Sequence, residues 1–163
     1  MPVKAVISAI SSRCRRVRSG LAVGFGDAQV VDALRGGRGG LWMSVPGGGQ
    51  FPFEDAQFEV VVMDGSAVSR EMVREANRVL VPDGFLFFTV PEKTRKQDGF
   101  SAPEIYRTIR EGFDILSVRR PKWWFLGLCD RTLTVCARKK AWREHKSFIR
   151  EGSLPFTPFR SRT

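Results

Sequence analysis

The sequence predicts an α/β fold built on a mostly parallel sheet, and three observations lead there. Residues 58–63 and 85–90 are short, largely apolar runs, the length of buried strands and too short for helices. Between them Val68, Met72, Val73, Ala76, Val79 and Leu80 recur at the spacing of one helical face. Strand, helix, strand in that order is a right-handed crossover, which sets neighbouring strands parallel. Upstream, the apolar run Leu21-Ala22-Val23 meets Gly24-Phe25-Gly26 and then a short helical pattern, the pattern of a second strand-to-helix turn. The length of 163 residues suits one domain with a real core, read as residues 1–150, followed by a basic, proline-containing tail over 151–163.

Taken in order, Val3, Val6, Ile7, Ile10, Cys14 and Val17 fall at helical spacing, with Arg13, Arg15, Arg16 and Arg18 at the end. Cations are favoured there by the helix dipole. A helix leaning on the sheet fits. The absence of acids before Asp27 and the many serines and arginines also fit a transit peptide over residues 1–19, directing the chain to a mitochondrion or plastid instead of the cytoplasm. After the Gly-x-Gly turn, Val30, Val31, Ala33 and Leu34 continue a short helix that Gly36-Gly37 stops. Residues 41–45 supply one further strand, and Pro46-Gly47-Gly48-Gly49-Gln50 leads to Phe51. Asp64-Gly65-Ser66 breaks the strand over 58–63, and Val81-Pro82-Asp83-Gly84 is expected to stop the following helix, since proline cannot continue it and glycine admits positive φ. Ser101-Ala102-Pro103-Glu104 is a capping box with proline in the first turn, so a helix starts there, with Ile105 and Ile109 inward and Gly112 at its end. Residues 113–118 and 131–137 read as the last strands, and a C-terminal helix carries Arg143, His145 and Lys146.

Composition excludes some classes. No apolar run approaches the roughly 20 residues of a membrane-spanning helix. Three cysteines without a CxxC pair suit a reducing compartment, and a single histidine argues against zinc or another metal centre. The net charge of +10 points to anionic partners or to a solvated basic surface. Arg119, Arg120, Lys122, Trp123 and Trp124 interleave cations with rings, a mixture suited to single-stranded nucleic acid, to an anionic membrane interface, or to tryptophans covering a sheet edge.

Phe51 to Pro91 also carries a family resemblance. Pro52-Phe53, Glu59, Arg78-Val79-Leu80 and Pro82-Asp83-Gly84, in this order and spacing, resemble the middle of a class I S-adenosylmethionine (SAM) dependent methyltransferase of the broad type 11 sort. The likeness covers about residues 20–140. It implies a Rossmann-like, mostly parallel sheet with helices on both faces and an antiparallel C-terminal edge. It implies SAM as cofactor and an unidentified methyl acceptor. Gly24 and Gly26 match the family's first motif, while Ala22 sits near its acidic residue and Ala28 replaces its third glycine. By the resemblance Gly24, Phe25, Gly26, Asp27, Gln50 and Phe51 lie beside the cofactor.

The chain departs from the pattern between the first helix and Pro52. The family has two strands with a helix between them; residues 35–50 have room for one strand, so about one strand–helix unit is lacking. The carboxylate that takes the ribose hydroxyls, and a second acid near the adenine, are absent, with Ser44 and Gly47, Gly48 and Gly49 in the candidate places. That loss removes charge-assisted hydrogen bonds of roughly 1.5–3 kcal/mol. Methyl transfer from a sulfonium needs mainly alignment and exclusion of water, so a base is optional. Asp64 either touches a substrate nucleophile or caps the next turn. Two functions follow: methyl transfer, or a non-catalytic descendant that binds RNA, a ribosome or another protein through a basic face.

Overall fold

A computed structural model describes residues 2–26, 28–36, 40–95, 98–120 and 131–141. In chain order the elements are α1 (Pro2–Arg13), β1 (Ser19–Val23), α2 (Ala28–Arg35), β2 (Leu41–Val45), β3 (Phe58–Met63), α3 (Arg70–Val79), β4 (Leu80–Pro91), α4 (Ala102–Ile109), β5 (Phe113–Arg119) and β6 (Thr132–Lys139). They form a six-stranded sheet in the order β2-β1-β3-β4-β6-β5. The first four strands are parallel, and β6 runs antiparallel to both β4 and β5. The antiparallel edge expected of the fold is therefore present, with β5 outermost and β6 the strand that reverses.

Two apolar layers hold the helices. Val6 and Ile10 of α1 and Val31 and Leu34 of α2 pack on Trp42, Val60, Val62, Phe87 and Cys136. On the other face Met72, Val73, Ala76 and Val79 of α3, with Ile105 and Ile109 of α4, cover Leu21, Val23, Val61, Met63, Leu86 and Phe88. Alternate residues of the central strands serve the two layers, which is why those strands are apolar on both faces. α1 ends at Arg13, and Cys14 and Val17 enter the core from the link to β1 rather than from the helix.

Local signals set the boundaries. The Ser69 hydroxyl accepts the Met72 N–H at 3.2 Å and caps α3. Both arms of the expected capping box at Ser101 and Glu104 are formed at the start of α4. The helix stops before Val81–Gly84 as expected, but these residues belong to β4 and form no separate turn. Helix α3 passes straight into β4 at Leu80, and the strand carries a register shift between the Phe58↔Leu80 and Val60↔Phe85 pairs. Asp83, not Gly84, takes the positive φ, of 63°. Gly84 is needed for space, since a Cβ there would lie 2.9 Å from the Val81 carbonyl oxygen.

β2 pairs directly with β1, so it holds the place of the second strand in a doubly wound sheet. No strand lies beyond it among the described residues, and its connection to β3 over residues 46–57 contains no helix. No described helix is long and apolar enough to cross a membrane. Cys129, the expected C-terminal helix with Arg143, His145 and Lys146, and the tail over 151–163 lie outside the described residues.

Candidate functional site

β1 is the strand at which the sheet order reverses, and ligands of open α/β sheets bind beyond the carboxyl ends of the strands at such a point. Val23 pairs with both Val45 and Met63, so β1, β2 and β3 end at one level. Gly24 donates its N–H to the Val45 carbonyl at 2.9 Å, and Asp64 donates its N–H to the Val23 carbonyl at 2.9 Å. The three following loops thus leave the sheet side by side. They enclose a cup of about 330 Å³ lined by Gly24, Gly47, Gly48, Ser66, Ser69 and Met72, with Ala67 at its floor.

Small residues make this corner possible. A Cβ on Gly24, whose φ is +81°, would come within 2.7 Å of the Ala67 methyl, and one on Gly47 within 2.8 Å. Both glycines therefore admit the short turn over Gly65–Ala67. Gly26 differs: a Cβ there meets nothing within 4 Å and its φ is not positive. No atom of the described chain requires glycine at 26, and bare backbone facing open space suits close approach of a ligand. The cup fits a nucleoside cofactor in this respect.

Its electrostatics fit less well. Asp64 is half-buried, and its carboxylate accepts hydrogen bonds from the Ser66 N–H at 3.1 Å and from the Ser66 hydroxyl, which caps the turn. Of the two roles expected for Asp64, the structure displays capping. Glu75 receives the Phe51 N–H at 3.0 Å and the Arg78 guanidinium at 2.8 and 3.2 Å. The hydrogen bond from Arg78 holds the Glu75 carboxyl below the usual carboxylate range against the opposing effect of burial. Arg78 also donates to the Phe53 carbonyl at 2.7 Å, to the Phe51 carbonyl at 3.0 Å and to Asp55 at 2.9 Å. Edge-to-face packing of Phe53 on Phe58, with centroids 4.9 Å apart, completes the anchoring of this loop. β2 ends Ser44-Val45 with no carboxylate, and none follows in residues 46–50.

The expected site residues separate. Gly24 borders the cup, Gly26 is exposed beside it, and Phe25 is half-buried against the α1–α2 layer. Gln50 is exposed. Phe51 is 3% exposed within the core under α3, and its N–H and carbonyl are both bonded to the Glu75–Arg78 pair. Asp27 lies outside the described residues, as do Lys122, Trp123 and Trp124. Arg119 and Arg120 are exposed at the end of β5, and Arg120 Nε reaches both carboxylate oxygens of Glu92 at 3.0 and 3.1 Å. Gly47, Gly48, Ser66, Ser69 and Met72 line the cup without being legible as its lining in the sequence; the glycine run after β2 is the signal that marks this wall. Among the described residues no cluster of three or more His, Cys, Asp or Glu is placed to hold a metal ion.

No protein-family model and no curated sequence matches the chain significantly. Solved structures do. The 1,6-didemethyltoxoflavin-N1-methyltransferase of Burkholderia thailandensis, solved with S-adenosylhomocysteine, superposes with a TM-score of 0.66 at 16% identity, over 85% of this chain and 78% of that chain. A SAM-dependent methyltransferase from Aquifex aeolicus gives 0.64 at 13% identity, over 81% and 88%. The [4+2]-cyclase SpnF gives 0.58 at 16% identity, over 84% and 80%. The chain has the class I SAM-dependent methyltransferase fold.

Proposed function

We propose that the chain binds SAM in the cup at the ends of β1, β2 and β3 and transfers its methyl group to an acceptor not yet identified. The observation that carries this is the glycine-walled cup at the switch point of the sheet. Bound there, the cofactor supplies a methyl group already activated on a sulfonium, so the protein has mainly to align donor and acceptor. Gly24, Gly26 and Gly48 let the backbone come close, and the Ser69 hydroxyl stands at the rim with its own proton free to donate. Without a carboxylate on β2 the ribose hydroxyls lose charge-assisted hydrogen bonds, which weakens binding by about one to two decades.

Calorimetric titration of the full-length protein with SAM and with S-adenosylhomocysteine tests this. Micromolar binding is expected. Absence of heat up to millimolar ligand, with the protein folded, would overturn it. Gly24→Val would abolish binding, but its side chain also meets Ala67, so fold and site fail together. Gly26→Val separates them, since the added side chain has room: the fold should persist and affinity should fall at least tenfold. Unchanged affinity would remove Gly26 from the site.

A second reading, a non-catalytic descendant binding RNA, a ribosome or a protein through its basic surface, is favoured by one observation. Asp64 and Glu75, on the turn and the helix beside the cup, both spend their carboxylates on hydrogen bonds within the chain itself. In that reading Arg119, Arg120, Lys122, Trp123 and Trp124 belong to the contact surface. The fold alone does not fix the activity, and a [4+2]-cyclase stands among its structural neighbours.

A further inference from the structure

The C-terminus of α1 gathers cations that methyl transfer does not use. Arg13, Arg15, Arg16 and Arg18 are exposed, and none joins the ion pairs formed among the described residues. Helix α1 lies across β4 and β6, which brings arginines from distant parts of the chain alongside. Burial pushes the Cys136 thiol up to about 11, while Arg13 and Arg119 pull the other way, so both guanidiniums lie near that β6 side chain. Arg138 follows on the same face of β6 and pairs at 3.9 Å with Asp83. Asp83, Arg16 and the half-buried Phe85 line one hollow of about 250 Å³.

Arg13, Arg16, Arg119 and Arg138, from α1, the α1–β1 link, β5 and β6, thus share a face with three carboxylates, and Arg15 and Arg18 flank them in the link. Glu59 accepts the Arg18 backbone N–H at 2.8 Å, Asp83 pairs with Arg138, and Asp114 stands opposite Arg138 on β5. The surplus is positive, and all of it is guanidinium, the group that meets phosphate with two parallel hydrogen bonds. Arg119 stands opposite Thr134, four residues along β6 from Arg138, so the cations extend over about 14 Å. That is a track for a polymer and too long for one phosphate group. Among the described residues the exposed large apolar side chains are Leu41, Met43 and Tyr106. Leu41 and Met43 share the sheet face of Val45, opposite to α1, and Tyr106 is on α4, so among the described residues the arginine face has no large apolar side chain to insert into a bilayer.

We propose that this arginine face binds a single-stranded nucleic acid, with phosphates on the guanidiniums and a base resting against Phe85. The binding is independent of whether the cup takes SAM.

The test is fluorescence anisotropy of short labelled single strands of RNA and of DNA with the full-length protein across a salt series. With four phosphates neutralised, the slope of log K against log salt is about −2.8, a loss of about fifty-fold between 50 and 200 mM salt. Arg13→Gln/Arg15→Gln/Arg16→Gln should flatten the slope by about 2, and Arg119→Gln alone by about 0.7. Arg70→Gln/Arg74→Gln/Arg107→Gln removes the same charge from the α3–α4 face and should leave the slope as it was. A preference for RNA or for DNA identifies the strand and supports the proposal either way. Equal losses in the two triple variants, with circular dichroism unchanged, would reduce the effect to net charge and overturn it. So would binding to anionic phospholipid vesicles with no binding to either strand.

Discussion

Two of the parallel crossovers in this sheet are held in different ways. In β3–α3–β4 the helix is capped by Ser69, and its last turn carries the Glu75–Arg78 pair, which fastens the incoming loop by backbone and side-chain hydrogen bonds. In β1–α2–β2 the helix has eight residues, and Arg35 reaches the Trp42 carbonyl at 2.9 Å. The Trp42 ring lies flat over Gly20, and its indole N–H is buried without a hydrogen-bond partner among the described residues. A buried unpaired donor forfeits about 1–3 kcal/mol. The β3–α3–β4 crossover is fixed by a network of directional bonds, the β1–α2–β2 crossover by one such bond and by shape. Where the chain lacks a strand–helix unit, the close fit of Gly20 against the Trp42 ring sets β2 beside β1.

The comparison breaks most easily at Arg78. Arg78→Ala leaves the Glu75 carboxylate half-buried without its cation and two carbonyls without their donor, and should destabilise the fold by about 3 kcal/mol in urea unfolding. It should also change the response to acid. The folded-state pKa of Glu75 is depressed, so its stabilisation is complete above the ordinary value of 4.5 and drains away as pH falls toward the folded value. Melting curves of the wild type through that window should show this loss, and those of Arg78→Ala should lack it.

Gly20→Ala probes the other crossover. Its methyl would meet the Trp42 ring at 2.5 Å, and overpacking of this kind costs about 1–3 kcal/mol. If the substitution is neutral by thermal melting, shape does not hold β2 and the contrast fails. Ser101→Ala removes one local cap from α4 and should cost about 1 kcal/mol, which sets the scale of a single terminal hydrogen bond beside the Arg78 network. A larger loss would mean that α4 shares its cap with the loop before it.

Local pattern made much of the fold legible. The apolar runs of β3 and β4, the helical stripe of α3 and the Ser101 capping box each require only neighbours in sequence, and each is formed. What local pattern could not carry is what depends on distant partners. Leu80 belongs to β4 because Phe58 pairs with it, and Asp83 accepts a positive φ because the strand must shift register there. Phe51 reads as a loop residue next to a cofactor until α3 is laid beside it and takes its ring into the core. Arg78 reads as one letter of a family pattern, although its meaning lies in carbonyls more than twenty positions upstream. At the cup, the Gly-x-Gly turn and the missing acid were visible in the residues themselves. The part played by Ser66, Ser69 and Met72 was not, because it arises from three strands ending at one level.

The packing of α1 has a consequence for synthesis. This helix, Pro2–Arg13, is made long before β6, Thr132–Lys139, yet it lies on that strand. A ribosome extends the chain at about 5–20 residues per second, so the apolar stripe of α1 waits several seconds for the strand that completes its layer. Until then Val6 and Ile10 remain uncovered on that side, with four arginines directly after them. Their mutual repulsion keeps nascent copies apart during the interval in which the apolar stripe would otherwise bring them together.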